Sequence, residues 1–218
     1  MKVLFVGNSF TYYNEMPQLL ERIAAGAGKP LTARRITKGG YSLRQYLDPT
    51  DPYAQELEEA RKERWDYVVL QGQSAEPAIE TEQFLRAAAE LCKKARAIGA
   101  TPLFYQTWSY TDGTEKLASV SMGYEEFYLA LKAAYQQAAK VGDTVCVPVG
   151  DLFFRLTAPV GPLHLICGDD YHPTLAGSYA AAILFYCRLF GPEAEYWRPE
   201  EISPEDAALI WKTAAELN

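Results

Sequence analysis

The sequence predicts an α/β protein: a three-layer α/β/α sandwich with a central five-stranded parallel sheet. Three observations carry that expectation. Five short runs read as strands, and those over 2–6 and 67–70 are nearly continuously apolar where a half-exposed strand would alternate, the mark of strands buried on both faces. Helical patterns separate the runs in regular order, as crossovers between parallel strands require. Small or polar residues gather directly after the runs, where ligands of such sheets bind. At 218 residues, 49% hydrophobic and 22% charged, the chain suits one domain, 1–218, able to bury roughly 70% of its unfolded surface.

The elements follow in order. Residues 2–6 form the first apolar run, ending at Gly7. A helix over 17–27 places Leu19, Leu20 and Ile23 on one side. A second strand over 31–36 ends before Gly39-Gly40, and a polar helix spans 51–64. The third strand is 67–70. The helix over 82–98 carries Phe84, Leu85, Ala88, Leu91, Cys92, Ala95 and Ile98 at helical spacing, with Gly99 as its stop. The fourth strand is 103–105, with Pro102 at its edge. A helix over 123–141 and a fifth strand over 144–147 come next. An apolar helix over 174–190 is closed by Gly191-Pro192. Ser203-Pro204-Glu205-Asp206 is a Ser cap with Pro at the first helical position, opening a last helix to Leu217.

This order brings four segments to one rim of the sheet: Gly7-Asn8-Ser9, Gly39-Gly40, Gln71-Gly72-Gln73-Ser74 and Thr107-Trp108-Ser109. The connection over 107–122 is long and reads as a lid or pocket wall.

Charge and cysteine usage exclude several partners. The net charge is -7, and the basic clusters Arg34-Arg35 and Lys93-Lys94 are too short for a nucleic-acid or anionic-membrane surface. No apolar stretch is long enough to span a membrane, and the N-terminus lacks the pattern of a leader. Cys92, Cys146, Cys167 and Cys187 form no CxxC pair, so neither a zinc site nor a disulfide framework is expected. The expectation is a cytoplasmic protein with reduced thiols, no metal and no cofactor. The oligomeric state stays open.

Two histidines are present. His172 lies in Gly168-Asp169-Asp170-Tyr171-His172-Pro173-Thr174, just ahead of a helix. Either this is a plain helix-entry turn, or Asp169 brings its carboxylate to the imidazole and stabilises the imidazolium. A strand-end serine elsewhere favours the second reading. His164, between Leu163 and Leu165, has no acid at comparable spacing and reads as a structural or wall residue.

The strings "VGNSF", "KGGYSL", "VVLQGQS" and "DDYHPT" occur in the order of the four signature blocks of the SGNH hydrolases, the GDSL-like esterases and lipases, which the chain resembles over nearly its whole length. "WDYVVLQGQS" and "HPTLAGSYAAA" resemble a bacterial SGNH subgroup. The resemblance implies the flavodoxin-like SGNH-hydrolase fold. It also implies Ser9 as nucleophile, His172 as general base and then acid, and Asp169 as the residue that orients His172. The oxyanion hole it implies consists of the Ser9 N–H, the Gly40 N–H and the Gln73 amide; Gly40 rather than Gly39 follows from its spacing to Ser42. The chain departs from the family pattern at Asn8, usually Asp, at Phe10, usually Leu, and at Gln73, usually Asn.

Tyr12, Tyr13, Tyr41, Trp108, Tyr110 and Tyr171 fall in the rim loops, and aromatic rings with polar tips suit sugar and acyl groups. Asn8, Tyr41, Trp108 and Tyr171 are predicted to bind substrate. The expected activity is that of a serine esterase on a small acyl ester, with O-acetyl carbohydrate the preferred class. Two alternatives use the same fold: a carbohydrate-binding protein without turnover, and an acyltransferase with the same triad. A flavin- or phosphate-binding first turn is disfavoured, because "GNSFTYYNEMP" is bulky where a phosphate loop needs small donors.

Overall fold

Alternate residues of the first strand, β1 (Lys2–Gly7), face two different cores. Val3 and Phe5 pack into one, Leu4 and Val6 into the other, and all four are fully buried. That division sets the three layers. The computed structural model describes residues 1–192 and 197–218.

After β1 come α1 (Ser9–Tyr12), α2 (Met16–Gly26), β2 (Thr32–Thr37), α3 (Pro52–Ala60), β3 (Tyr67–Leu70), α4 (Glu76–Ile79) and α5 (Thr81–Ala97). The second half holds β4 (Thr101–Tyr105), α6 (Glu115–Ala118), α7 (Tyr124–Val141), β5 (Val145–Val147), α8 (Val149–Leu156), α9 (Leu175–Phe190) and α10 (Pro204–Leu217). The strands form one five-stranded sheet in the order β2-β1-β3-β4-β5. Every pairing is parallel, which is the flavodoxin-like order. In such a sheet the chain winds outward both ways from β1, leaving a crevice at the carboxyl ends there.

One core joins Val3, Phe5, Val69, Leu103, Tyr105 and Val147 of the sheet to Leu20 and Ile23 of α2, Leu152 of α8, and Ile210 of α10. Most of α9 lies in this core, which accounts for its nearly uniform apolar character. The opposite core joins Leu4, Val6, Val68, Leu70 and Phe104 to Leu57 of α3, Phe84 and Leu91 of α5, and Tyr135 of α7. Each fully buried Leu or Phe contributes about 1.5–3 kcal/mol of transfer free energy.

The structure corrects several boundaries. β4 begins at Thr101, so Pro102 lies inside it, paired with Val68 of β3. Pairing of β4 with β5 starts only at Leu103, and on that side Pro102 meets no ladder partner to disappoint. The polar helix ends at Ala60 rather than at 64. The short helices α4, α6 and α8 lack a long periodic pattern and went unpredicted. Among the described residues, no helix is long and apolar enough to cross a membrane.

Candidate active site

The turn after β1 is fixed by a saturated set of hydrogen bonds. Asn8 is 2% exposed, and its side chain caps α1 by accepting the Phe10 N–H. The same oxygen accepts from Gln71 Nε2 at 3.0 Å. Its Nδ2 donates to the carbonyls of Tyr41 (2.9 Å) and Gly72 (3.2 Å). Gln71 Oε1 accepts the Asn8 N–H and the Thr11 hydroxyl, both at 2.9 Å. A Cβ at residue 7 would meet that oxygen at 2.6 Å, so a side chain there would push the Gln71 amide out of these hydrogen bonds. Asn8 therefore ties the loops after β1, β2 and β3 together, and both functions of its amide are used. A carboxylate could accept but could not donate to the two carbonyls, which gives a physical reason for Asn here. The expectation that Asn8 binds substrate gives way to this: the residue borders the pocket, yet its polar atoms are committed to the protein.

From this turn Ser9, 8% exposed, donates its hydroxyl proton toward His172 Nε2 at 2.8 Å. His172 Nδ1 lies 2.6 Å from Asp169 Oδ2. An ionised carboxylate only accepts, so Nδ1 carries the ring proton and Nε2 is left as the acceptor facing Ser9. Asp169 Oδ1 also accepts the backbone N–H groups of His172 (3.0 Å) and Tyr171 (3.3 Å). Partial burial works to raise the Asp169 pKa; these hydrogen bonds outweigh it and hold the carboxyl below its ordinary range.

The loop bearing His172 is a small hairpin closed by an Ile166–Pro173 bridge, with Asp170 left-handed at its tip (φ 72°). Asn14, itself left-handed (φ 50°), anchors the hairpin base by donating to the Pro173 carbonyl and the Ser178 hydroxyl. Tyr13 stacks on the imidazole face, with centroids 4.0 Å apart and planes 6° from parallel. Tyr171 meets it at 4.0 Å and a 37° tilt.

Trp108 is corrected from a substrate contact to a buried brace. It is 1% exposed, stacked between Phe10 (4.3 Å) and Phe153 (4.0 Å). Its indole N–H donates to the Tyr171 carbonyl, supporting the His172 loop from below. This stack also gives Phe10 a packing role that an aliphatic side chain would not fill. Tyr41 is likewise absent from the pocket lining: its hydroxyl donates to Asp51 and its ring packs edge-on against Tyr46 and Tyr53. His164 is exposed and contributes a carbonyl that accepts from Thr174. Residues 107–110 are buried, so only the later part of the 107–122 connection forms a wall.

A pocket of about 260 Å³ opens above Ser9 and His172. Gly39, Gly40, Gln73, Ser74, Tyr12, Lys116 and Tyr171 border it. Gly40 is left-handed (φ +75°), a conformation that favours glycine. Neither the Ser9 N–H nor the Gly40 N–H meets a protein acceptor among the described residues. Gln73 is tied down: Oε1 accepts the N–H groups of Ala75 and Glu76, and Nε2 donates to the Ser74 hydroxyl. Glu76 in turn accepts the Gln73 N–H. The Ser74 hydroxyl lies 2.7 Å from that of Tyr110.

One site residue lies outside the sequence reading. Lys116 lies in the aperiodic 107–122 connection and carries no motif. Tyr13 was legible as a rim aromatic, but its stacking on His172 depends on the left-handed turn that follows it.

A solved structure of a protein from Slackia heliotrinireducens, assigned to the SGNH hydrolases, is 32% identical to the chain. The match covers 85% of this chain and 97% of that one, with a TM-score of 0.77. The chain belongs to the SGNH hydrolases. Two further structures share the SGNH-type fold at lower identity. A DUF4886 family protein from Bacteroides uniformis has a TM-score of 0.84 at 21% identity, over 99% of this chain and 93% of its own. The acetylxylan esterase Axe2 of Geobacillus stearothermophilus has a TM-score of 0.62 at 15% identity, over 91% and 97%. No family model and no curated protein matches the chain.

Proposed function

We propose that this SGNH hydrolase is a serine esterase that cleaves small acyl esters through Ser9, His172 and Asp169. The observation that supports it most is the continuous line from Ser9 Oγ through both imidazole nitrogens to Asp169 Oδ2, at 2.8 and 2.6 Å, at the base of the pocket. A serine hydroxyl is a weak nucleophile until a base takes its proton. In the proposed cycle Oγ adds to the ester carbonyl carbon as its proton passes to Nε2. The tetrahedral intermediate collapses, Nε2 returns the proton to the leaving alcohol, and an acyl-serine remains. Water then repeats the sequence and releases the acid. Asp169, kept ionised, holds the tautomer and stabilises the imidazolium at each stage.

The oxyanion is assigned to the Ser9 and Gly40 N–H groups and to the second N–H of Gln73, whose first is bound to Ser74. Donors fixed before reaction are worth about 3–4 kcal/mol each. The bonds that immobilise Gln73 supply that fixation and compensate for a side chain longer than the family's usual Asn. A volume of about 260 Å³ suits an acetyl group and part of one sugar ring. The Axe2 structure, that of an acetylxylan esterase, points to the same acyl class.

The test is a series of 4-nitrophenyl esters of increasing acyl length, with wild type and Ser9→Ala side by side and fluorophosphonate labelling in parallel. Activity and labelling confined to wild type, and greatest for acetate, are expected. Equal turnover by Ser9→Ala would remove the nucleophile assignment, and a preference for long chains would remove the acetyl assignment.

A further inference from the structure

The pocket walls carry one cation and no carboxylate among the described residues. In a chain of net charge -7, that local imbalance asks for an explanation. Lys116 projects from α6 with Nζ 4.3 Å from the Tyr171 ring centroid and 5.0 Å from that of Tyr110. The two rings are 6.0 Å apart and nearly perpendicular, forming a notch that holds the ammonium by cation–π attraction. Among the described residues no ion pair involves Lys116, so its ammonium is held by the two rings rather than by a carboxylate.

We propose that Lys116 is a specificity residue, and that the substrate is an ester whose alcohol portion bears a carboxylate, such as an O-acetylated uronic acid. This rests on the esterase reading above and adds to it the charge of the substrate. The position of the charge on the alcohol follows from the chemistry. The leaving oxygen must receive its proton from His172 Nε2, so the alcohol lies on the imidazole side of the carbonyl. Lys116 stands on Tyr171, whose ring also meets that imidazole, so the cation lies beside the group that would protonate the leaving alcohol. An ammonium already partly desolvated by two aromatic faces meets a carboxylate at lower cost than a fully hydrated one. A neutral sugar would leave that cation facing the substrate without a partner.

The experiment compares acetyl esters of methyl glucuronide and methyl glucoside as substrates for wild type, Lys116→Gln and Lys116→Arg. For wild type, kcat/KM favours the anionic ester. The ratio of the two kcat/KM values falls about ten- to a hundredfold in Lys116→Gln, the range commanded by a hydrogen bond to a charged group, and recovers in part in Lys116→Arg. Raised salt lowers the wild-type ratio. An unchanged ratio in Lys116→Gln, in a variant whose Tm shows it folded, overturns the proposal. Binding of methyl glucuronide and methyl glucoside to Ser9→Ala, followed by calorimetry, separates the two levels. Tighter binding of the acid supports the cationic subsite even if no ester is hydrolysed, which would sink the esterase reading alone. Equal binding of the two sugars rejects the subsite whatever the turnover.

Discussion

The two halves of the candidate triad are held in opposite ways. On the Ser9 side almost every support is a directional hydrogen bond: Asn8 and Gln71 lock three loops into one lattice, with each amide function paired. On the His172 side the supports are rings. Tyr13 and Tyr171 cover the imidazole, and Trp108 braces the loop beneath. Asp169 is the one polar strut there that reaches the ring. The difference follows from what each half must do. In the proposed mechanism Ser9 would contribute both its hydroxyl and its backbone N–H, which asks that the backbone itself be fixed within a fraction of an ångström. Under the same proposal the imidazole would gain and lose a proton in each half-reaction, and flat ring contacts locate it without occupying either nitrogen.

The largest break in this arrangement is Asp169→Asn. It keeps the shape of the aromatic half and removes its one charge, leaving the imidazolium without a counter-ion. Loss of about 10²–10⁴ in kcat is expected, toward the lower end because the Asp169 side chain is 41% exposed and shared with solvent. Steady-state kinetics on 4-nitrophenyl acetate would show it. A change smaller than threefold would make Asp169 a turn residue only.

Next is Asn8→Asp, which tests the polar half by changing one atom type. The carbonyls of Tyr41 and Gly72 lose their donor and would face a carboxylate in a site 2% exposed. About 2–4 kcal/mol of stability should go, lowering Tm by about 5–10 °C in a chain of this size. If the variant melts with wild type, the lattice is not what holds the turn.

The contrast between the halves also explains what the sequence could disclose. Strand runs such as 2–6 and 67–70 were legible because burial on both faces leaves a continuous apolar string. Ser9, Asp169 and His172 were legible because two short turns carry them in motif order. Trp108 and Tyr41 were misread, since an aromatic residue in a rim loop can face the pocket or the core. That direction is set by partners elsewhere in the chain, Phe153 and Tyr171 for Trp108, Asp51 for Tyr41. Asn8 was placed at the right spot with the wrong duty, because its acceptors belong to loops far along the chain. Lys116 left no trace: its meaning comes from two tyrosines that only the folded connection brings beneath it.

A smaller effect sharpens the aromatic side. In Tyr13→Ala the imidazole loses its parallel ring, and with it a cation–π contribution of about 0.5–2 kcal/mol that exists only when the ring is charged. Because the intermediate carries that charge and the resting site does not, kcat should fall about three- to tenfold with little change in KM. Tyr13→Phe retains the ring and should restore most of kcat. Equal losses in the two variants would shift the role from the ring to the hydroxyl.

The smallest expected effect belongs to Glu76, the polar half's one buried carboxylate. It is 6% exposed and accepts the Gln73 N–H, so it stiffens the loop assigned to the oxyanion. Burial raises its pKa above the ordinary value of 4.5; the backbone hydrogen bond from Gln73 opposes the shift, and Glu80 reinforces it. A folded-state pKa above the unfolded one means that the acid form is favoured by folding. Its stabilisation is complete below the ordinary range and is lost as pH rises through the folded pKa. Glu76→Gln keeps an acceptor for the Gln73 N–H and cannot ionise. Thermal melts from pH 4 to pH 7 should therefore show wild type losing about 2 °C or less relative to the variant as pH rises, with the other carboxylates cancelling between the two. The opposite slope, wild type gaining on Glu76→Gln with pH, would mean that the lattice stabilises the charged form, and that the loop bearing Gln73 is held by an anion rather than by a hydrogen-bonded acid.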